Sequence, residues 1–248
     1  MKAAVTWFGH ATALIEIDGT RLLTDPVLGR RIGPLIRVAA EAPADAGERI
    51  DAVLLSHLHF DHADLRTLRR LATAVPVIAP FPAGRWLRQH GLREVRELAC
   101  GDETTVGPLR VIATPAQHDR RRHPLGTTAD PVGFVARGSG SVYFAGDTDL
   151  YPAMARLHGS IDLALLPVSG WGPTLGPGHL DPERAAQAAA LIAPSVAVPI
   201  HWGTFVLAPR LRRSGDLERP AREFAAAASR LAPAVDVRVL APGGRTEV

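Results

Sequence analysis

Residues 53–65 read Val-Leu-Leu-Ser-His-Leu-His-Phe-Asp-His-Ala-Asp-Leu, an apolar run that ends at Ser56 and then delivers His57, His59, Asp61 and His62. Four such side chains would compete for space in a core and gain little on a surface. Imidazole and carboxylate together are the donor set of zinc, manganese and iron. A solvated turn accounts for one or two histidines, not for H-x-H-x-D-H. In an extended segment alternate side chains share a side, so His57 and His59 can reach one ion. Asp61 and His62 are neighbours, so the backbone must bend before both face a second ion. The pattern predicts a strand end, a tight loop and a helix from about Asp64 to Leu71. A single structural zinc is normally closed by four ligands, often thiolates, and Cys100 is the only cysteine. Two adjacent ions are the economical reading.

A chain of 248 residues can bury a large core, and without a repeat, low-complexity tract or linker the simplest organisation is one domain over 1–248. No apolar run approaches the ~20 residues needed to span a bilayer. The N-terminus does not resemble a signal peptide, because Thr6 to His10 interrupts its few apolar residues. One cysteine excludes an intrachain disulfide, which fits the expected cytoplasmic location. The net charge of +3 is carried almost wholly by arginine, since Lys2 is the only lysine, and by itself it says little about nucleic acid. The oligomeric state is not set by the sequence.

The remaining chain alternates short apolar runs with turn signals. Ala3 to Trp7, Ala13 to Ile17 and Arg21 to Thr24 read as strands, the last two joined by an Asp18-Gly19 hairpin signal. Residues 27–49 read as irregular, and Arg30 to Arg37 suits equally a packed surface loop and a lid. Further strands are expected at Val75 to Ala79, Arg93 to Leu98, Thr104 to Val106, Leu109 to Ala113, Val132 to Ala136, Val142 to Ala145, Leu163 to Leu166, Val196 to Ile200 and Val235 to Leu240. Helices are expected at Pro82 to His90, Tyr151 to His158, Asp181 to about Ile192 and Pro220 to Leu231. Four apolar runs end in a metal-ligand type: His57, His118, Asp147 and His201 each follow one. A lone histidine after a strand is usually a hydrogen-bonded structural residue. Four on the edge where open α/β sheets place their ligands point to one site.

His57-x-His59-x-Asp61-His62, His118, Asp147 and His201 together resemble the metal-binding pattern of the metallo-β-lactamase-fold hydrolases, over nearly the whole chain. Trp7-Phe8-Gly9-His10-Ala11-Thr12, Thr24-Asp25-Pro26, Phe144-Ala145-Gly146-Asp147-Thr148, His179-Leu-Asp-Pro-Glu and His201-Trp202-Gly203-Thr204-Phe205 are similar to the N-acyl-phosphatidylethanolamine phospholipase D branch. The ascorbate-phosphate lactonases are a more distant neighbour. Asp149 departs from the glycine that the branch carries after Gly-Asp-Thr. The resemblance implies an α/β fold, a four-layer αββα sandwich of two mostly antiparallel or mixed sheets flanked by helices. It also implies two divalent metal ions, zinc first, with manganese or iron as alternatives. His57, His59 and His118 would hold one ion, Asp61, His62 and His201 the other, and Asp147 would bridge them. His10 and Asp25 are then expected to steady ligating residues from behind. Asp61 and His179 are the catalytic candidates. Asp61 would orient a water; His179 would give a proton or contact an oxyanion, unless it only marks a helix entry.

A water shared by two ions has its pKa lowered from 15.7 towards ~7, so hydrolysis is the expected reaction. Arg120, Arg121 and Arg122 follow His118, and Arg210, Arg212 and Arg213 follow His201, which favours an anionic small-molecule or lipid-like substrate. A phosphodiester comes first. A lactone, carboxylic ester or amide is the alternative, and a nuclease or a non-enzymatic metal-binding protein stands further off. No nucleic-acid partner is expected, because no basic domain with stacking aromatics accompanies the site.

Overall fold

The computed structural model describes residues 2–72, 75–122, 126–170, 175–208 and 215–248. The first part of the chain supplies β1 (Ala4–Gly9), β2 (Thr12–Ile17), β3 (Thr20–Thr24), β4 (Arg31–Ile32), β5 (Leu35–Arg37), β6 (Ala52–Leu54), α1 (Leu65–Leu71), β7 (Val77–Pro80), α2 (Gly84–Gln89) and β8 (Val95–Leu98). There follow β9 (Glu103–Val106), β10 (Leu109–Pro115), β11 (Val132–Arg137), β12 (Ser141–Phe144), β13 (Leu163–Pro167) and α3 (Pro182–Ile192). The chain closes with β14 (Val196–Ile200), β15 (Phe205–Leu207), α4 (Arg219–Leu231), β16 (Asp236–Val237) and β17 (Arg245–Glu247). Two seven-stranded sheets result, in the orders β17-β1-β2-β3-β6-β7-β8 and β16-β14-β13-β12-β11-β10-β9.

Burial on both faces explains why the strands read as continuous apolar runs. In β2, Ala13, Ile15 and Ile17 face the core shared with the second sheet, while Leu14 faces away. In β3, Leu22 and Leu23 divide in the same way. The shared core joins Trp7, Ile15 and Leu54 of the first sheet to Val111, Phe134 and Phe144 of the second. On the far side of the first sheet Leu68 and Leu71 of α1 and Leu87 of α2 meet Leu23 and Val53. Against the second sheet lies α3, whose buried Ala185, Ala186, Ala188 and Ala189 allow close approach to β13 and α4. The layers are helix, sheet, sheet, helix, as expected.

Strand direction is what makes a site possible. β2 is antiparallel to β1 and β3, and β6 is parallel to β3, so β1, β3 and β6 point the same way. β10, β12, β13 and β14 likewise share a direction. Asp18 and Gly19 both take positive φ (49° and 79°), the mirror-image turn that suits a two-residue hairpin. Asp64 caps α1 by accepting from the amides of Arg66 and Thr67.

Four elements differ from expectation. Residues 27–49 are not wholly irregular: β4 and β5 pair with β15 in a third, three-stranded sheet, and a partner some 170 residues away leaves no mark on local sequence. Arg37 is buried there and donates to the carbonyls of Phe8, Val27 and Gly29, which packs this segment down. The expected helix at 151–158 is a 3-10 turn over Pro152–Leu157, short enough for the tighter winding. Helix α2 begins at Gly84 rather than Pro82. The last strand contracts to Asp236–Val237, and Arg245–Glu247, with no apolar alternation, takes its bonds from the edge of β1. No helix among the described residues is long and apolar enough to cross a membrane.

Candidate metal centre

Seven strands end at the same place. β1 leads to His10, β3 to Asp25, β6 to His57, β10 to His118, β12 to Asp147, β13 to Ser169 and β14 to His201. His10, Asp25 and His201 each sit one residue past a strand with left-handed backbone (φ 54°, 31° and 63°). Such conformations are costly for non-glycine residues and cluster at functional sites. The carbonyl of His10 accepts from the His201 amide (2.9 Å) and the Trp7 indole (2.9 Å), so β1 and β14 are tied across the two sheets. Before Asp147 stands Gly146 (φ 61°), where an added Cβ would lie 2.6 Å from the Ser56 Cβ. Only glycine lets the end of β12 come this close to the histidine loop.

The donors converge. His59 Nδ1 lies 3.0 Å from His57 Nε2 and 2.9 Å from His118 Nε2, while His62 Nε2 and His201 Nε2 are 3.2 Å apart. Asp147 Oδ2 lies between the two groups, 3.1 Å from His62 Nε2, 3.3 Å from His201 Nε2 and 3.9 Å from both His57 Nε2 and His118 Nε2. Asp61 Oδ2 is 3.6 Å from His62 Nε2 and 3.9 Å from His201 Nε2. Proximity thus sorts six of the seven residues into His57, His59 and His118 on one side and Asp61, His62 and His201, joined by His10, on the other, with Asp147 between them.

The outer nitrogens decide which lone pairs face inward. A carbonyl can only accept, so His118 Nδ1 donates to Gly178 O (2.7 Å) and His201 Nδ1 to Ser169 O (2.7 Å). His62 Nδ1 donates to Asp25 Oδ2 (2.7 Å). Asp25 also accepts from the Ser56 amide (2.7 Å) and the Ser56 hydroxyl (2.5 Å), and that hydroxyl lies 2.9 Å from His57 Nδ1. With its proton given to Asp25, Ser56 Oγ accepts from His57 Nδ1. One buried carboxylate thereby sets the tautomer of two histidines. The Nε2 atoms of His57, His62, His118 and His201 are thereby turned inward, each about 3 Å from another imidazole nitrogen, an arrangement that a divalent cation stabilises. The buried Asp147 Oδ1 has no hydrogen-bond partner, which a cation also supplies. These residues fit a bound metal.

Charge follows the same division. Burial, then His62 and His118, push His57 well below its ordinary pKa. Burial also lowers His118, to about 4, against the opposing pull of Asp147. For His62 and His201 burial lowers the pKa, but Asp147 and Asp61 outweigh it and hold both above the ordinary value. Burial would raise Asp61 and Asp147; the surrounding histidines instead keep both ionised. Burial and His201 push His10 down to about 3, so a neutral His10 donates from Nε2 to Asp61 Oδ2 (3.0 Å).

His10 lies behind Asp61 and Asp25 behind His62. Ser56 was missed, although a buried polar residue closing an apolar run before His57 is a signal. The carbonyls of Ser169 and Gly178 carried none. His179 lies at the rim with Nε2 3.6 Å from Asp147 Oδ2 and its ring edge-on to His118. The arginines are disposed differently from expectation. Arg120 forms an ion pair with Asp130, Arg121 is exposed, and Arg122 Nη1 donates to Leu58 O (2.6 Å). Arg210, Arg212 and Arg213 lie outside the described residues, as do residues 171–174 of the loop before His179. Asp149, the departure from glycine, pairs with Arg184.

Two layered mixed sheets with His and Asp donors gathered where the strands of both end define a protein of the metallo-β-lactamase fold. A profile for the beta-lactamase superfamily domain matches residues 20–202. An uncharacterized protein of Mycobacterium bovis is 36% identical over 225 residues, which cover 84% of this chain. That stretch is 60% of the relative's length. The UPF0173 metal-dependent hydrolase of Methanopyrus kandleri is 33% identical over 246 residues, covering 96% of this chain and 97% of that one. In fold, Igni18, a metallo hydrolase of Ignicoccus hospitalis, matches with a TM-score of 0.75 over 99% of both chains at 24% identity. The chain belongs to the UPF0173 metal-dependent hydrolases of the β-lactamase superfamily.

Proposed function

We propose that this chain is a two-metal hydrolase of small substrates, with His57, His59 and His118 holding one divalent ion, Asp61, His62 and His201 the other, and Asp147 between them. One observation above all supports the reading: five imidazoles and two carboxylates converge on one centre, and the outer nitrogens of His57, His62, His118 and His201 are already hydrogen-bonded. Two ions held by these residues would supply a water of lowered pKa and stabilisation of the oxygen charge that develops at the attacked centre. The chain's own contribution is orientation and proton handling. Asp61, held ionised and aligned by His10, orients the water. His179, at the rim within reach of Asp147, gives a proton to the departing oxygen or nitrogen. Zinc comes first by donor set, with manganese or iron as alternatives.

The arginines bear on which bond is cleaved. Among the described residues Arg120, Arg122 and Arg184 are engaged with Asp130, Leu58 O and Asp149. A carbonyl centre, in a lactone, carboxylic ester or amide, is therefore favoured. A phosphodiester is the second reading, with the exposed Arg121 as the candidate for its charge left among the described residues. The motifs at Trp7–Thr12 and His201–Phe205 favour the phospholipase D-like and lactonase-like branch, whose two substrate types these are.

The test is a panel of a γ-lactone, an aryl ester, an aryl phosphodiester and RNA, assayed before and after chelation and after return of Zn²⁺ or Mn²⁺. Turnover of the lactone or ester that is lost on chelation and recovered on metal return is expected. Turnover that survives full metal removal would discard the mechanism, and turnover of the phosphodiester alone would exchange the two substrate readings. His179→Ala should leave the metal content unchanged and lower kcat by about 10²-fold, the usual size of a general-acid contribution. An unchanged kcat would leave His179 as a helix-entry residue only.

A further inference from the structure

The loop that carries His57, His59, Asp61 and His62 has few internal bonds. The amides of His62 and Ala63 donate to His59 O, but the carbonyls at its two ends, Leu58 O and Ala63 O, face outward. Both accept from a single atom, Arg122 Nη1, at 2.6 and 3.3 Å. The guanidinium lies over the Trp86 ring of α2, 4.6 Å from its centroid, and its burial lowers its pKa against the opposing pull of Asp64 and Asp61. Arg122 is itself fixed. Its amide donates to Thr127 O (3.0 Å), Ala129 N donates to Arg120 O, and Arg121 and Thr128 form a bridge. The paired segments 120–122 and 127–129 begin just after His118.

We propose that Arg122 is a positioning residue that closes the 58–63 loop and holds it in register with the His118 segment, so that His57, His59 and His118 present one preformed trio to a metal ion. Leu58 lies between His57 and His59, and Ala63 follows His62. A shift at Leu58 O therefore moves a ligand on each side of it, and a shift at Ala63 O moves His62. A planar fork stacked on an indole suits this task, because its direction is set before it donates. A lysine keeps the charge but neither the plane nor the stacking. Loss of the guanidinium should loosen the trio more than the Asp61, His62 and His201 group, because the shorter bond, to Leu58 O (2.6 Å), lies between two ligands of the trio, whereas the longer, to Ala63 O (3.3 Å), borders only His62.

The inference rests on the metal-binding reading above. The test is calorimetric titration of chelator-treated protein with Zn²⁺ and, separately, Mn²⁺, alongside the melting temperature of the same protein without added metal. In Arg122→Met one of the two binding events should weaken by about 10–100-fold, the range for groups that orient ligands from behind, while the other stays within about twofold. Arg122→Lys should weaken the same event by a smaller factor. If Arg122→Met does not fold, Arg122→Lys carries the test, and affinities equal to the parent's in the folded variant overturn the proposal. A loss shared equally by both events, in step with a lower melting temperature, overturns it too, as a merely structural role. If the parent itself binds no divalent ion, it is the metal-binding reading that fails instead.

Discussion

Asp147→Ala should remove most of the activity and at least one of the two proposed ions. Asp147 Oδ2 lies within 3.9 Å of four imidazole nitrogens drawn from both groups. It is also the negative charge nearest the midpoint of the cage. Without it, two cations would face each other across neutral imidazoles with Asp61 as the remaining carboxylate. Loss of one ion forfeits several kcal/mol of charge stabilisation, and about 4 kcal/mol corresponds to roughly 10³-fold in rate. We expect kcat/KM to fall by at least about 10³-fold, with metal content by atomic emission falling from two ions per chain to one or none. Asp147→Asn keeps the shape and loses the charge, and should behave nearly as badly. Full metal content with a rate within tenfold of the parent would show that Asp147 does not join the two groups.

Asp25→Ala should be the most damaging change at a residue that touches neither ion nor substrate. Its carboxylate accepts three bonds, from the Ser56 amide, the Ser56 hydroxyl and His62 Nδ1. All these groups are fully buried or nearly so. Taking away one partner of a buried, hydrogen-bonded charge costs about 3–5 kcal/mol, which in a chain of this length lowers Tm by roughly 10 °C or more. His57 and His62 would lose their tautomer control together, so each half of the cage would weaken. Metal affinity should drop by about 10–100-fold. Asparagine offers no repair. Whichever way its amide sits, the NH2 meets an N–H or O–H that needs an acceptor. A melting temperature within about 2 °C of the parent, with unchanged metal affinity, would mean that Ser56 and His62 find other partners.

Much of this site was legible along the chain. The H-x-H-x-D-H run and the strands ending at His118, Asp147 and His201 are local features, whereas the supporting parts of His10 and Asp25 came from the family resemblance. An apolar run followed by a polar donor is readable wherever both faces of a sheet are buried, because burial leaves a continuous hydrophobic stretch. The Asp64 cap and the Asp18-Gly19 hairpin follow from single-residue preferences of the same kind. The arginines show the opposite case. Their nearness to His118 was visible, but a charged side chain of that length can turn towards a substrate, an aspartate or a carbonyl. Only the packing of Trp86 and the 58–63 loop against Arg122 selects among them.

The three-stranded sheet was hidden for a related reason. Arg31–Ile32, Leu35–Arg37 and Phe205–Leu207 are too short to show a period, and they become strands only because the fold brings Phe205 to Leu35–Arg37. By itself the sequence determined which residues could bind metal and which strand ends would carry them, since ligand chemistry and side-chain alternation belong to each residue and its neighbours. The tertiary structure alone decided which nitrogen of each histidine faces the centre. That choice falls to Gly178 O, Ser169 O and the Asp25–Ser56 pair. Every residue has a carbonyl, so nothing in the letters marks the one that will orient a ligand.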